Sequence, residues 1–116
     1  MTKAIICGGR DFLNLEYALS ELDRVHRERK ITCVIEGGAR GADYLARLWA
    51  KDRGIKVITY PAKWKELKKG AGPIRNQEML DAEKPALVIA MPGGSGTAHM
   101  KRIAEQHGVE VLEICL

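Results

Sequence analysis

Residues 31–50 read ITCVIEGGARGADYLARLWA, and this segment holds the unit from which the fold is built. Ile31–Ile35 is a short apolar run rich in β-branched residues, the pattern of a buried strand. The pair Gly37-Gly38 ends it. Ala42, Leu45, Ala46 and Trp49 then recur at helical spacing, and Gly54 stands where a C-terminal glycine closes a helix. The segment therefore predicts a strand, a glycine turn and a helix.

The same order recurs on either side. Gly8-Gly9 follow the run Ala4–Cys7, and Gly93-Gly94 follow Ala86–Met91. Positions 8 and 37 lie 29 residues apart, and position 93 lies 56 beyond, close to two further steps. Ile55–Tyr60 supplies the missing strand; its loop, Pro61–Gly72, is longer and lacks the glycine pair. Between strands, Leu15, Ala18, Leu19, Leu22 and Val25 mark a helix from about Asn14, a suitable N-cap, to Arg29. Pro73 suits the first turn of a third helix reaching Glu83 and stopped by Pro85. Met100, Ile103, Ala104 and His107 mark a fourth, closed by Gly108, before a last strand over Val109–Ile114. Repeated βα units with right-handed crossovers predict a three-layer, Rossmann-like, doubly wound parallel α/β sheet. Five strands in the order 3-2-1-4-5 and four helices are expected.

Composition bounds the rest. With 116 residues, 46% of them hydrophobic, the chain suits a single domain spanning 1–116. The longest apolar stretch, Ala86–Met91, is far short of the roughly 20 residues of a membrane span, and the run after Lys3 is too short for a secretory leader. A cytoplasmic protein without membrane contact is expected. Cys7, Cys33 and Cys115 lack metal-ligand spacing and read as buried, reduced thiols. His26, His99 and His107 share no ligand spacing with them, so neither metal nor cofactor is expected. The net charge of +4 permits an anionic partner without requiring one.

In a doubly wound sheet every strand-to-helix turn emerges at the carboxyl edge, and the ligand crevice opens where the winding reverses, here between the first and fourth strands. Its flanking loops are Gly8–Phe12 and Pro92–Thr97. Free amides and the helix dipole at Gly96-Thr97 and Gly41-Ala42 favour a phosphate there. No G-x-x-x-x-G-K-[ST] occurs, and Gly94-Ser95-Gly96 continues to His99 where a dinucleotide fingerprint needs a small residue. Arg10 can reach a phosphate bidentately, and Asp11 caps that turn or holds Arg10, a reading favoured over a catalytic one. Glu36, a candidate catalytic carboxylate alongside Asp43, either accepts from ribose hydroxyls or simply leaves the sheet. Asp43 is either a stabiliser of its helix start or the best candidate catalytic carboxylate. Arg75 and Asn76 open the third helix on the same edge. Trp64, among Lys63, Lys65, Lys68 and Lys69, either stacks on a base or lids the core.

GGRDF at 8–12, EGGARGAD at 36–43, the stretch from Pro61 through Trp64 to GPIRN at 72–76, and MPGGSGT at 91–97 together resemble the YspA-like branch of the SLOG (Smf/DprA–Lonely Guy) superfamily. The resemblance implies a Rossmann-like domain binding a nucleotide or nucleotide derivative. The turn of Pro92, Gly93, Gly94, Ser95, Gly96 and Thr97 would be its phosphate cradle, with Gly8, Gly9, Arg10, Gly37, Gly38, Asp43, Trp64, Arg75 and Asn76 around it. It implies a sensor or a hydrolase of nucleotide derivatives, with single-stranded nucleic-acid binding of DprA type as the alternative, and association as a homodimer. Lonely Guy enzymes carry a glutamate three residues after the threonine of their PGGxGT motif. This chain has Met100 there, which removes the carboxylate that N-glycosidic hydrolysis in that group uses. His99 is adjacent but is expected to point about 100° away around the helix.

Overall fold

The computed structural model describes residues 2–63 and 68–115. Five strands, β1 (Thr2–Cys7), β2 (Ile31–Glu36), β3 (Lys56–Thr59), β4 (Leu87–Ala90) and β5 (Glu110–Glu113), alternate with α1 (Leu15–Arg29), α2 (Ala42–Asp52), α3 (Ala71–Glu83) and α4 (Ser95–Gln106). A 3-10 turn, Lys68–Gly70, leads into α3. The sheet order is β3-β2-β1-β4-β5, and each neighbouring pair is parallel. This is the doubly wound arrangement expected from the repeat.

The three central strands are apolar on both faces because both are covered. Ala4, Ile6, Val34, Leu87 and Ile89 pack with Ala18, Leu22 and Val25 of α1 and with Leu45, Ala46 and Trp49 of α2. Ile5, Cys7, Ile35, Val88 and Ala90 meet Met79 and Leu80 of α3 and Met100, Ile103 and Ala104 of α4 on the other face. The edge strands β3 and β5 are four residues each and half-buried at their centres, which limits the unpaired backbone they offer.

Element ends differ from the sequence expectation for local reasons. Asn14 caps α1 as expected, accepting from the Tyr17 amide at 3.1 Å. Leu15, placed on the apolar stripe, is 43% exposed, because the core-facing arc of α1 is narrower and contains Ala18, Leu22 and Val25. The third helix begins at Ala71 rather than Pro73, and α4 already at Ser95. Cys7 and Cys33 are buried, but Cys115 is exposed; the last strand ends at Glu113, Ile114 still packs into the core, and Cys115 is the first residue past it to face out.

One polar cluster ties α1 to α2. The fully buried Trp49 donates its indole N–H to Asp23 Oδ1 at 2.8 Å, and Arg53 grips both Asp23 oxygens at 2.5 and 2.7 Å. The hydrogen bonds from Arg53, then Trp49, bring the Asp23 carboxyl down to about 2. A folded-state value below the ordinary one means the contribution is present above pH 4 and is lost as pH falls towards about 2. Asp23→Ala, which strands the buried indole N–H, is expected to cost about 1–3 kcal/mol at pH 7 and to flatten the stability profile between pH 4 and 2. Urea unfolding followed by tryptophan fluorescence across that range measures both effects.

Candidate functional site

The carboxyl edge is organised by a junction of backbone. Gly9 donates its N–H to Pro92 O at 2.8 Å and accepts on its own carbonyl from Phe12 N and, at 3.1 Å, from Ala42 N. The loops after β1 and β4 and the start of α2 are thereby locked together. Gly41, at φ +76°, lies so close to the carbonyls of Gly9 and Arg10 that a Cβ would collide with them. At Gly93 a Cβ would run into the Thr97 side chain and stand 2.7 Å from Gly9 N. Only glycine admits that approach.

Beside this junction, where β1 and β4 diverge, a cleft of about 570 Å³ opens. Cys7, Gly8, Gly9 and Arg10 line it from β1 and its loop, Gly37, Ala39 and Asp43 from the second βα turn, Pro73, Arg75, Asn76 and Met79 from α3, and Gly94–Thr97, His99 and Arg102 from α4. The structure thus brings most of the expected residues onto one wall system. Gly38, Pro92 and Gly93 support it from outside; Pro92 and Gly93 instead line a smaller hollow of about 390 Å³ against the end of β5. Trp64, Lys65 and the residues to Leu67 lie outside the described residues.

Glu36 does not face the cleft. It is fully buried, with Oε1 accepting from Gly38 N at 2.7 Å and Oε2 from the Thr59 hydroxyl. Both oxygens serve the turn after β2 and its register with β3, where Glu36 pairs Thr59. The strand-end position expected to offer an acceptor to a ligand is thus turned inward, with both oxygens engaged within the fold. Asp11 accepts from Arg40 at 3.3 Å on the exposed rim.

Asp43 is the carboxylate on the cleft wall. It is 6% exposed and accepts from Ala39 N at 3.2 Å. Burial, opposed by hydrogen bonding from Ala39 and by the charge of Arg75, pushes it up to about 6. Arg75 is half-buried, and its Nη1 donates to Gly37 O at 2.6 Å. A Cβ on Gly37 would occupy the place of that guanidinium. Cys7, at the floor, is pushed up to about 12, chiefly by burial and then by Asp43, so its thiol holds its proton and is a poor nucleophile.

Two residues of the wall are absent from the sequence expectation. His99 and Arg102 lie three apart on α4, one flank away from the buried stripe of Met100, Ile103 and Ala104. Met100 is fully buried in the α3–α4 core, so the position where Lonely Guy enzymes carry glutamate points into packing here. The rotation that takes His99 away from Met100 delivers it to the cleft. Asn76, 5% exposed, donates to Gly96 O at 3.2 Å and lies 3.1 Å from His99 Nδ1.

Residues 2–67, more than half of the chain, match the model of the YspA, cpYpsA-related SLOG family. The chain belongs to this family. The Gene 61 protein of Mycobacterium phage D29 is 34% identical over 120 residues, covering 97% of this chain and 95% of its own. This SLOG chain is also similar in fold to the X-ray structure of DNA processing protein A (DprA) from Streptococcus pneumoniae, with a TM-score of 0.72 at 20% identity. That match covers all of this chain but 51% of the DprA chain, so the SLOG chain spans about half the length of that protein. Among the described residues no helix is long and apolar enough to cross a membrane.

Because the Asp43 carboxyl is raised in the folded state, the native chain holds a proton that the unfolded chain has released between about pH 4 and pH 6. Stability is expected to fall as pH rises through that window. Asp43→Asn, which keeps an oxygen for Ala39 N, should abolish that slope and raise stability at pH 7 by on the order of 2 kcal/mol. Chemical denaturation at half-unit pH steps checks both.

Proposed function

We propose that this protein binds a nucleotide or nucleotide derivative in the cleft between β1 and β4, with a phosphate against the first turn of α4. The observation that carries the reading is the composition of one wall system: the free amides of the Ser95–Thr97 turn, the cations Arg10 and Arg102, and the buried acceptor Asp43 around one opening. A volume of about 570 Å³ lies within the roughly 300–1,000 Å³ of small-molecule sites. Phosphate meets the helix dipole and the arginines, while Asp43 offers an acceptor to sugar hydroxyls. Membership of the SLOG family supports the same ligand class. So does the placement at the point where the winding of the sheet reverses.

The reading covers a sensor and a hydrolase, which differ in what becomes of the ligand. Met100 leaves α4 without a carboxylate at that position, and Asp43 is the carboxylate positioned on the wall. Should a bound nucleotide be cleaved, Asp43→Asn would abolish release of base or ribose phosphate, seen by chromatography. Intact ligand after long incubation would mark a sensor. Nucleic-acid binding is the second reading, favoured by the fold shared with a DNA processing protein and by the +4 charge. It requires a complex with single-stranded oligonucleotide that weakens steeply with salt.

Gly96 separates a ligand cradle from mere architecture. A Cβ there meets no protein atom within 4 Å, and the residue sits inside α4 and on the cleft wall. Gly96→Ala should therefore leave stability unchanged or raise it by up to about 1 kcal/mol. A ligand seated on that turn would lose roughly tenfold or more in affinity. A thermal-shift panel of mononucleotides, ADP-ribose and cyclic dinucleotides identifies the ligand, and titration of the variant measures the loss. No shift with any of them at millimolar concentration sinks the nucleotide reading.

A further inference from the structure

Asn76 sits between an arginine and a histidine, and the hydrogen bonds around it determine which way its amide points. Arg75 Nε–H donates to Asn76 Oδ1 at 3.1 Å, and the amide nitrogen donates to the carbonyl of Gly96 at 3.2 Å. Turned over, the amide would set oxygen against the Gly96 carbonyl and N–H against the arginine N–H. Both contacts would then be repulsive, and Asn76 is buried where water cannot relieve them. The nitrogen is therefore the atom that faces His99, 3.1 Å from Nδ1. A donor opposite Nδ1 requires that Nδ1 accept, so the ring proton resides on Nε2.

We propose that His99 is a ligand-contacting residue of the cleft, held by Asn76 as the neutral Nε2–H tautomer so that Nε2 donates a hydrogen bond to an oxygen of the bound nucleotide. The proposal rests on the nucleotide reading and names the group that reads one of its oxygens. Among the described residues His99 Nε2 has no hydrogen-bond partner, and the ring lies on the cleft wall. Its charge surroundings keep it neutral. Arg102 on its own helix, Arg75 on α3 and Arg10 in the β1 loop line the same cleft, and the carboxylate that faces them there among the described residues is Asp43. Burial, then Arg102, lowers the His99 ring below its ordinary value, which agrees with the tautomer that the hydrogen bonds dictate. A neutral donor differs from a cation in what it selects. It contacts an ester, bridging or hydroxyl oxygen without demanding full negative charge, leaving charge recognition to the arginines.

The relay also fixes which mutations matter. It runs from Gly37 O through Arg75 and Asn76 to His99, so the turn after β2 orients a side chain on α4. Asn76 is a positioning residue in this scheme, and His99 the one that touches ligand.

The test uses the whole chain and adenosine 5′-monophosphate as probe. In long-range nitrogen–proton spectra of the ring, His99 is expected to show a protonated Nε2 and a bare Nδ1 from pH 6 to 8. Adding the probe is expected to shift Nε2 and leave Nδ1 unprotonated. His99→Gln, which keeps a donor at the ε position, should bind within about threefold of wild type. His99→Asn and His99→Ala should bind roughly tenfold or more weakly, with amide spectra confirming that each variant is folded. Asn76→Asp, which turns the facing donor into an acceptor, should move the ring proton to Nδ1. A proton on Nδ1 in the wild type, or an imidazolium across that range, overturns the proposal. If the probe shifts the Ser95–Thr97 amides but not Nε2, the His99 role falls while the nucleotide reading stands. If it shifts neither, the reading for mononucleotides falls and takes the His99 role with it.

Discussion

The carboxyl edge depends on a contact made by backbone alone. Gly9 passes its N–H to Pro92 and its carbonyl to Ala42 and Phe12, so one residue holds three segments that are 33 and 83 residues away or immediately adjacent in sequence. No side chain could do this, because the approach leaves no volume for one: Gly41 and Gly93 are each within collision range of the Gly8–Arg10 turn if given a Cβ. Satisfying these amides and carbonyls with one another is also what allows so much polar backbone to sit near the core. The cleft is the open side of this junction. The glycines of the edge differ accordingly. Gly9 and Gly41 are closed in by backbone and Gly37 by the Arg75 guanidinium, whereas at Gly94 and Gly96, on the cleft wall, a Cβ would meet nothing within 4 Å.

Much of this was legible in the chain because burial on both faces of a parallel sheet leaves strong traces. Ala4–Cys7 and Ala86–Met91 are unbroken apolar runs, Ile31–Ile35 is interrupted by Thr32 alone, and each is followed at once or after one residue by a glycine pair at the same edge. The repeat length then implied the crossover order, and the order located the crevice. The traces fade where packing is partial. Leu15 has the spacing of a core residue yet lies beyond the covered arc of α1. Glu36 has the strand-end position of a ribose acceptor, but the neighbouring edge strand places Thr59 opposite it, and the carboxylate turns inward to that hydroxyl and the Gly38 amide. No pattern within residues 31–43 announces a partner supplied by residue 59.

His99 shows the same limit from the other side. On the helix alone it is a polar residue at the margin of an apolar stripe, a position that usually faces solvent. Its significance comes from α3, which brings Asn76 against it, and from Arg75, whose guanidinium sets the sense of that amide. The recoverable signal was the i, i+3 pair of His99 and Arg102 on a helix that opens at the crevice. Reading it required knowing that Met100 points into the core.

The orientation of α4 therefore decides what chemistry this edge can support. Met100, Ile103 and Ala104 must face Ile5, Val88 and Met79 for the second layer to pack, and that requirement fixes the helix about its axis. A carboxylate at position 100 in this orientation would be buried among aliphatic side chains, where an unpaired charge is prohibitively costly. Introducing glutamate by substitution alone would thus destabilise the fold rather than arm the cleft. With position 100 committed to packing, the groups that α4 turns toward a ligand are the amides of its first turn, a neutral imidazole and an arginine. Toward the ligand these groups donate hydrogen bonds, because the accepting nitrogen of the imidazole is occupied by Asn76. A carboxylate comes from across the cleft, where Asp43, pushed up to about 6 by burial, lies on the wall. Donors on α4 facing one poised acceptor on α2 suit recognition of an oxygen-rich anion, and they place the burden of any bond cleavage on a single side chain.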